Sequence, residues 1–576
     1  MSDVRTVRRP VSAAQLGIWV AQQLQPDSPL YNCGGYYEIN GPVDAGTLDR
    51  AVRRAVEETE ALRSYFTEVD GPRGAGADGA ADVDGAGVQQ VVEPVDPWPL
   101  RLLDLRDQAD PEAAAHAWMR REMAQPFDLS RAPLSAQTLL TLADDRSFYF
   151  HRYHHAVLDG FGHSVYADRV AALYTALLAG AEPPPTGFTT LDRVVADESA
   201  YPSSRRHARD RAHWVEAFAD LPEPLALAGR QAPSTYSRLR RVITLPPTLV
   251  RDLTALADRL DAQWPALATA ATAAFFHRMT GRTDFTFALP LAGRTGRASA
   301  GTPSAMVNVL PIRIGATARL PFAELTAHVS RALADVLRHQ RFRGEELVRE
   351  LGLSGGRQAR LGPTVNVMAF ANEPFFGDSP SVAHPLSTGP VNDLKINFYG
   401  TADSRAGLRV EFDADPELYD ERDLIAHQDR LVRVLEAVAS DPQRPLGELE
   451  ILAPEERERL LGEWNGVARD VRGASLPVLF SEQAALSPGA VAVVAGQNSL
   501  TYGELEARSN RVARWLISRG VGAERFVGVK LGRSVELVVA LLGITKAGGA
   551  YVPIDPEYPQ ERIAHIVADA EPVLVI

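Results

Sequence analysis

Residues 154–160 read His-His-Ala-Val-Leu-Asp-Gly, and these side chains offer acid–base chemistry at close spacing. An imidazole such as that of His155 can accept a proton or a hydrogen bond from an amine or hydroxyl near neutral pH. Asp159 brings a carboxylate that can fix a tight turn through an arginine or through backbone N–H groups. Gly160 leaves the backbone bare for a ligand or a strand to approach. The competing readings are a metal pair or satisfied core histidines. Neighbouring residues on a strand point to opposite faces, so His154 and His155 are poorly placed to share one metal.

The elements around the heptad place it at a strand–helix junction. Phe148-Tyr149-Phe150-His151-Arg152-Tyr153 alternates as a strand does, and Tyr166, Val170, Leu173 and Leu177 share one helical face. Upstream, Asp44 is positioned to cap a helix whose stripe is Leu48, Val52 and Ala55. A strand is expected near 62–68, then a Gly/Ala/Asp-rich surface insertion over 70–87. Pro183, Pro184 and Pro185 end the helix behind the heptad and mark a boundary between two αβ units.

The heptad resembles the signature of condensation domains from nonribosomal peptide synthetases. Ser12-Ala13-Ala14-Gln15-Leu16-Gly17-Ile18-Trp19 resembles the opening motif of that family, and Glu60-Ala61-Leu62-Arg63-Ser64-Tyr65-Phe66 its second. In that second motif Glu58 stands where a histidine is usual. Met306-Val307-Asn308-Val309-Leu310-Pro311 and Gly362-Pro363-Thr364-Val365-Asn366-Val367-Met368 resemble later motifs. The resemblance is collinear over residues 11–454. It implies an α/β (α+β) fold of two chloramphenicol-acetyltransferase-like lobes, about 11–182 and about 186–454, forming a V-shaped pseudo-dimer with the histidine at the floor of a tunnel.

Residues 476–576, after an expected linker over 455–475, read differently. Thr501 and Glu504 form a capping box, Val535 to Lys546 a helix closed by Gly548-Gly549, and Phe526–Leu531 and Tyr551–Asp555 short strands. That rhythm argues a parallel α/β sheet. Leu500-Thr501-Tyr502-Gly503-Glu504-Leu505 and Lys546-Ala547-Gly548-Gly549-Ala550-Tyr551-Val552-Pro553 resemble the first two motifs of an adenylation domain. The phosphate-binding loop such domains use is not found in these 576 residues. ATP is therefore not expected to bind productively, and the chain reads as a fragment of a longer synthetase.

Composition narrows the class. The 576 residues are 45% hydrophobic and 23% charged, with a net charge of -13, which disfavours nucleic acid or an anionic membrane as the main partner. The longest apolar run, Leu537 to Thr545, is too short to span a bilayer. No secretion signal is legible, so a cytoplasmic enzyme is expected. The single cysteine, Cys33, excludes an internal disulfide and a thiolate metal cluster, and reads as a small packing residue.

The reaction the resemblance implies is amide bond formation. An upstream carrier protein, expected in trans, presents an acyl or peptidyl thioester on its phosphopantetheine arm. A downstream carrier domain presents an aminoacyl thioester whose α-amine attacks. No directly bound cofactor and no metal are expected. The resemblance makes His155 the base or positioner, His154 a residue oriented into the fold, and Asp159 a structural residue with Arg63 as candidate partner. Gly160 is a candidate donor of a backbone N–H to the developing oxyanion, with close packing the alternative. Asn308 is a candidate tunnel-lining residue or a buried amide bonding to a strand. His151, His163 and His339 read as structural or surface residues. An ester-forming acyltransferase and an epimerization domain are the alternatives within the superfamily, and a non-catalytic carrier-docking scaffold is the alternative outside it. Heterocyclization domains replace the histidine pair with aspartates, which this chain does not.

Overall fold

The computed structural model describes residues 6–68, 87–94, 100–230, 232, 236–352, 361–369, 373–402, 404–466 and 473–576. The chain divides into two compact units, Met1–Arg457 and Glu458–Ile576. The insertion expected over 70–87 lies, up to residue 86, outside the described residues.

The first unit is built on two six-stranded sheets. One runs in the order β12 (Phe375–Phe376), β13 (Ser379–Thr388), β2 (Asn32–Asn40), β7 (Arg146–His154), β6 (Ser135–Ala143) and β5 (Arg101–Asp104). Alternation along β7 sorts its side chains as the sequence predicts. Tyr149 and Tyr153 join Tyr37 and Cys33 beneath the helices Ala45–Glu58 and Gly160–Leu178. Phe148 and Phe150 join Tyr36 and Leu140 on the other face, under Trp118 and Met119 of the helix Pro111–Met123. Both faces are therefore covered, and the strand that carries the histidines is rigid along its length. A small antiparallel sheet, β1 (Val7–Pro10), β4 (Val88–Val92) and β3 (Ser64–Glu68), completes this half.

The other sheet has the order β10 (Asn308–Gly315), β9 (Asp284–Leu291), β11 (Thr364–Met368), β14 (Leu394–Tyr399), β15 (Arg409–Ala414) and β8 (Leu239–Thr244). The helices Pro247–Arg259, Trp264–Thr280, Phe322–Arg338 and Glu421–Ser440 pack one face, where Phe285, Phe287, Ile312, Ile396, Phe398 and Phe412 make a continuous core. Ala270, Ala271 and Ala274 of the second of these helices are fully buried, small side chains that let helix and sheet approach closely.

One strand departs from the expected division at 182/186. β13 comes from the second half of the sequence yet pairs antiparallel with β2 of the first sheet, Thr388 opposite Cys33 and Ala383 opposite Tyr37. Pro380 and Pro385 and a register shift between Pro385 and Ser387 explain why it does not read as an inner strand. The stretch expected as a linker, 455–475, opens with the helix Pro454–Leu461 and a turn of 3-10 helix, Glu463–Asn465, neither of which buries a side chain.

In the second unit, Thr501 accepts from the Glu504 N–H while the Glu504 carboxylate accepts from the Thr501 N–H, the reciprocal cap read from sequence. A hairpin of β16 (Val491–Ala495) and β17 (Asn498–Thr501) precedes it. β19 (Ala550–Pro553), β18 (Phe526–Val529) and β20 (Leu574–Val575) then form a parallel sheet. Among the described residues of the chain, no helix is long and apolar enough to cross a membrane.

Candidate active site

β7 ends at His154, and the turn 155–159 leads into the helix Gly160–Leu178. The two adjacent imidazoles leave this corner in different environments. His154 is buried, its Nδ1 accepting from the Ala156 N–H at 3.2 Å and its Nε2 lying 3.2 Å from Gln22 Oε1. Gln22 spends its amide N–H groups on the carbonyls of Gln25, Pro26 and Ser28, each at 3.0 Å, so its oxygen must face the histidine. His154 is thus a neutral Nε2–H tautomer with both nitrogens satisfied. Burial, then the neighbouring His155, pushes its pKa down to about 3.

His155 is only half-buried. Its backbone N–H donates to the Tyr31 carbonyl at 2.9 Å, which fixes the turn. Its Nδ1 is sealed from solvent without a hydrogen-bond partner among the described residues, and Nε2 is the nitrogen left accessible. Burial pushes the imidazole pKa below its ordinary value; the carbonyl of His155 itself, the Asp159 charge and the Leu158 carbonyl oppose, while the Lys395 ammonium acts with burial. The ring is neutral at neutral pH and offers a lone pair. Its Cδ2–Nε2 edge rests on Gly389, where φ is +91° and an added Cβ would stand 3.1 Å from Cδ2 and 3.7 Å from Nε2. Glycine is needed there both for the backbone angle and for the ring's place.

Asp159 holds the turn. It caps the following helix, Oδ1 accepting from the Gly162 N–H at 2.7 Å, and Oδ2 accepts from the Met306 N–H at 2.8 Å. Arg294 adds a two-pronged ion pair at 2.8 and 3.0 Å, with both side chains almost fully buried. The sequence reading of Asp159 as the lock of the turn describes this geometry, but the partner differs. Arg63 instead donates to the Glu93 carbonyl at 2.9 Å, on the 3-10 turn that leads into β3. Gly162, not Gly160, is the close-packed glycine: a Cβ at 162 would meet the Ser304 carbonyl at 2.7 Å, whereas one at Gly160 meets nothing within 4 Å. Gly160 is exposed at the first position of the helix.

Asn308 is placed differently from a tunnel wall. Its amide donates to the carbonyls of Gln340 and Phe342 and accepts from the Gly344 N–H, so its polar atoms are spent on one loop. Besides Arg294, Gln15 reaches the turn, and Lys395 is linked to it only through Thr388 and Gly389. Gln15 forms a capping box with Ser12 and sends its amide N–H 141 positions along the chain to the Ala156 carbonyl at 3.1 Å. The Ser-x-x-Gln spacing was the available signal. Lys395, buried on β14, had none.

The remaining candidates are structural in their surroundings. Cys33 is a free, buried thiol that burial pushes up to about 12. His151 and His163 stack at 3.7 Å in the core, both neutral because burial lowers their pKa values, His163 to about 3. His339 bonds to Asp210 at 2.8 Å, both residues belonging to the second half. Among the described residues no group of three or more His, Cys, Asp or Glu is placed to hold a metal ion.

Comparison with known proteins gives the family of each part of the chain. The family model described as a condensation domain matches residues 7–461, and that of the AMP-binding enzymes residues 480–576. The chain is 37% identical to the dimodular nonribosomal peptide synthase of Bacillus subtilis, over 100% of its own length and 24% of that protein. It is 40% identical to the isonitrile lipopeptide synthase of Streptomyces coeruleorubidus, over 99% of its own length and 37% of the other. The chain thus spans well under half the length of these relatives. Among solved structures, the first condensation domain of the calcium-dependent antibiotic synthetase, in complex with a substrate analogue, is 36% identical with a TM-score of 0.70, over 78% of this chain and 99% of that one. A mutant of the starter condensation domain of rhizomide synthetase, in complex with C8-CoA, is 35% identical with a TM-score of 0.70, over 77% and 98%.

Proposed function

The chain belongs to the condensation-domain family of nonribosomal peptide synthetases, with part of an AMP-binding enzyme behind it, and from that premise we propose that it joins two carrier-bound thioesters through an amide bond at His155. The donor is an acyl or peptidyl group on an upstream carrier, and the acceptor an aminoacyl group on a downstream carrier. The acceptor α-amine, with a reference pKa near 8, attacks the donor carbonyl carbon as the C–N bond forms and the C–S bond breaks. The amine proton passes to the departing phosphopantetheine sulfur, with His155 Nε2 as the group that accepts a hydrogen bond from the amine on the way. No covalent enzyme intermediate is needed.

The observation that supports this reading is the state of His155: a neutral imidazole with an accessible Nε2, on a turn that Asp159, Arg294, Gln15 and Tyr31 hold in place. Alignment of two tethered reactants can remove about 7–11 kcal/mol of barrier. A positioned acceptor at neutral pH is therefore enough, and strong general-base catalysis is not required. The exposed Gly160 N–H, at the positive end of a helix, is our candidate donor to the tetrahedral oxyanion.

The test is a single-turnover assay with one carrier loaded with an acyl group and another with an amino acid, the downstream arm being read by mass spectrometry. Amide product with the native chain and none with His155→Ala is expected. Equal product from both sinks the role given to His155, and an ester-linked or epimerised product sinks the reaction class.

A further inference from the structure

Leu394, Ile396 and Phe398 of β14 turn into the helix-covered core, so period two sends Lys395, Asn397 and Tyr399 to the opposite face of the sheet. That face is polar although it is buried, and Glu411 and Asp413 of β15 join it. A buried lysine is costly unless its charge is compensated or used.

The Lys395 ammonium has three protons to place. It meets the Thr388 hydroxyl at 3.2 Å and the Thr388 carbonyl at 3.5 Å. Thr388 is the last residue of β13, and the next residue is Gly389, on whose backbone the His155 ring rests. One peptide unit therefore separates the anchor of the cation from the glycine that touches the imidazole.

Among the described residues, the charged and titratable groups around His155 can be named. On its own turn, Asp159 is neutralised by the two-pronged bond to Arg294. β7 supplies His154, which is neutral, and β2 supplies Cys33, a protonated thiol. From the second sheet comes Lys395. Burial works against the Lys395 charge and lowers its pKa; behind it Asp413 attracts the ammonium, but Asp413 is already bound by Arg240 at 2.7 and 2.9 Å, and Arg238 adds a further cation. Glu411 is pushed up by burial and by Asp413, towards its neutral form. Two arginines and a lysine thus stand against one committed carboxylate.

Resting on the condensation reading above, we propose that Lys395 is a positioning residue for His155: its ammonium, anchored on Thr388 one peptide unit from the glycine under the ring, adds to burial in favouring the neutral imidazole that accepts a hydrogen bond from the acceptor amine. A cation near the ring disfavours a second positive charge on it. The arrangement also keeps solvent protons from disabling the site in mildly acidic conditions.

The experiment compares the full chain with Lys395→Met, Lys395→Gln and Lys395→Arg. The His155 ring is titrated by NMR with 13C-labelled histidine, its signal assigned by its loss in His155→Ala. Removing the cation should raise the His155 midpoint by about one pH unit in Met and Gln, and Arg should restore it. Compared with the native chain at the same pH, so that the titration of the acceptor amine cancels, kcat/KM with loaded carriers should fall by about tenfold at acid pH and little above neutrality. An unmoved midpoint in folded Met and Gln variants overturns the proposal, as does a rate loss uniform across pH. The titration needs no turnover, so failure of the condensation reading would leave this arm decisive on its own.

Discussion

Asp159 and Arg294, 135 positions apart, close a buried two-pronged ion pair that ties the histidine turn of the first half to the 292–306 segment of the second. The same carboxylate caps a helix and accepts from the Met306 N–H, so four donors converge on two oxygens. The junction of the two halves and the geometry of the site are therefore one structure. Any account of an Asp159 variant has to separate loss of fold from loss of chemistry.

Asp159→Ala and Arg294→Ala should each destabilise the first unit by about 3–5 kcal/mol, because each leaves the opposite charge buried and unpaired. The double substitution should cost clearly less than the sum, since no stranded charge remains. Urea unfolding of the four proteins checks this. Additive losses would show that the pair is not coupled. Arg63→Ala, by contrast, removes one bond to the Glu93 carbonyl and should leave the coupling intact.

His155 itself should not limit activity at neutral pH. Burial places the His155 midpoint below its ordinary value of 6.5, so the ring stays neutral through neutrality and is protonated only as pH falls further. The limb that this imidazole sets should therefore lie below 6.5, beneath the separate limb set by the acceptor amine, which must be neutral to attack; NMR titration of the His155 ring measures the first by itself. A ring midpoint above 7 would mean that burial does not govern this imidazole as described.

Much of the scaffold was legible because local physics decides it. Alternation over Phe148–Tyr153, the Asp44 cap and the Thr501–Glu504 box depend on residues a few positions apart, and each is found as expected. The chemistry of Asp159 was legible too, as a carboxylate that fixes a turn through an arginine and backbone N–H groups. Which arginine was not: Arg63 lies in a motif, while Arg294 reaches the site only through tertiary packing. Lys395 was hidden for a related reason. A lysine on an alternating strand reads as a solvated face, and only the partner sheet buries it. β13 was hidden by its prolines.

Buried neutral histidines make stability fall as pH falls. In the unfolded chain His154 and His163 take protons near 6.5, whereas in the fold burial holds both neutral down to about 3. Between those values the unfolded state binds more protons, so stability drops with decreasing pH by up to about 1.4 kcal/mol per pH unit for each imidazole. His163→Phe, which keeps a ring against Tyr153 and His151, should flatten the slope between pH 6 and 4.5 by about that amount. Urea midpoints across that range measure it, and an unchanged slope would place the proton uptake elsewhere.

Two glycines of the site should respond in opposite ways to a single methyl group. At Gly389 the backbone has a φ of +91°, and the new Cβ would stand 3.1 Å from His155 Cδ2 and 3.9 Å from Cys33 Sγ. Neither neighbour can give way freely, since the imidazole's turn is bolted by Asp159 and the thiol is locked in β2. The cost in stability should be about 1–3 kcal/mol for the strained backbone angle, while displacement of the ring should cut kcat by at least about tenfold. At Gly160 the same methyl points into open space at the first turn of a helix, and the N–H proposed for the oxyanion is kept. Gly160→Ala should therefore run near the native rate with equal or slightly higher stability, alanine being the better helix former by about 1 kcal/mol. Rates from loaded carriers, alongside unfolding curves, compare the two. Should Gly160→Ala lose activity as deeply as Gly389→Ala, the added methyl must intrude on the place of the oxyanion, and the contrast drawn between the two glycines would fail.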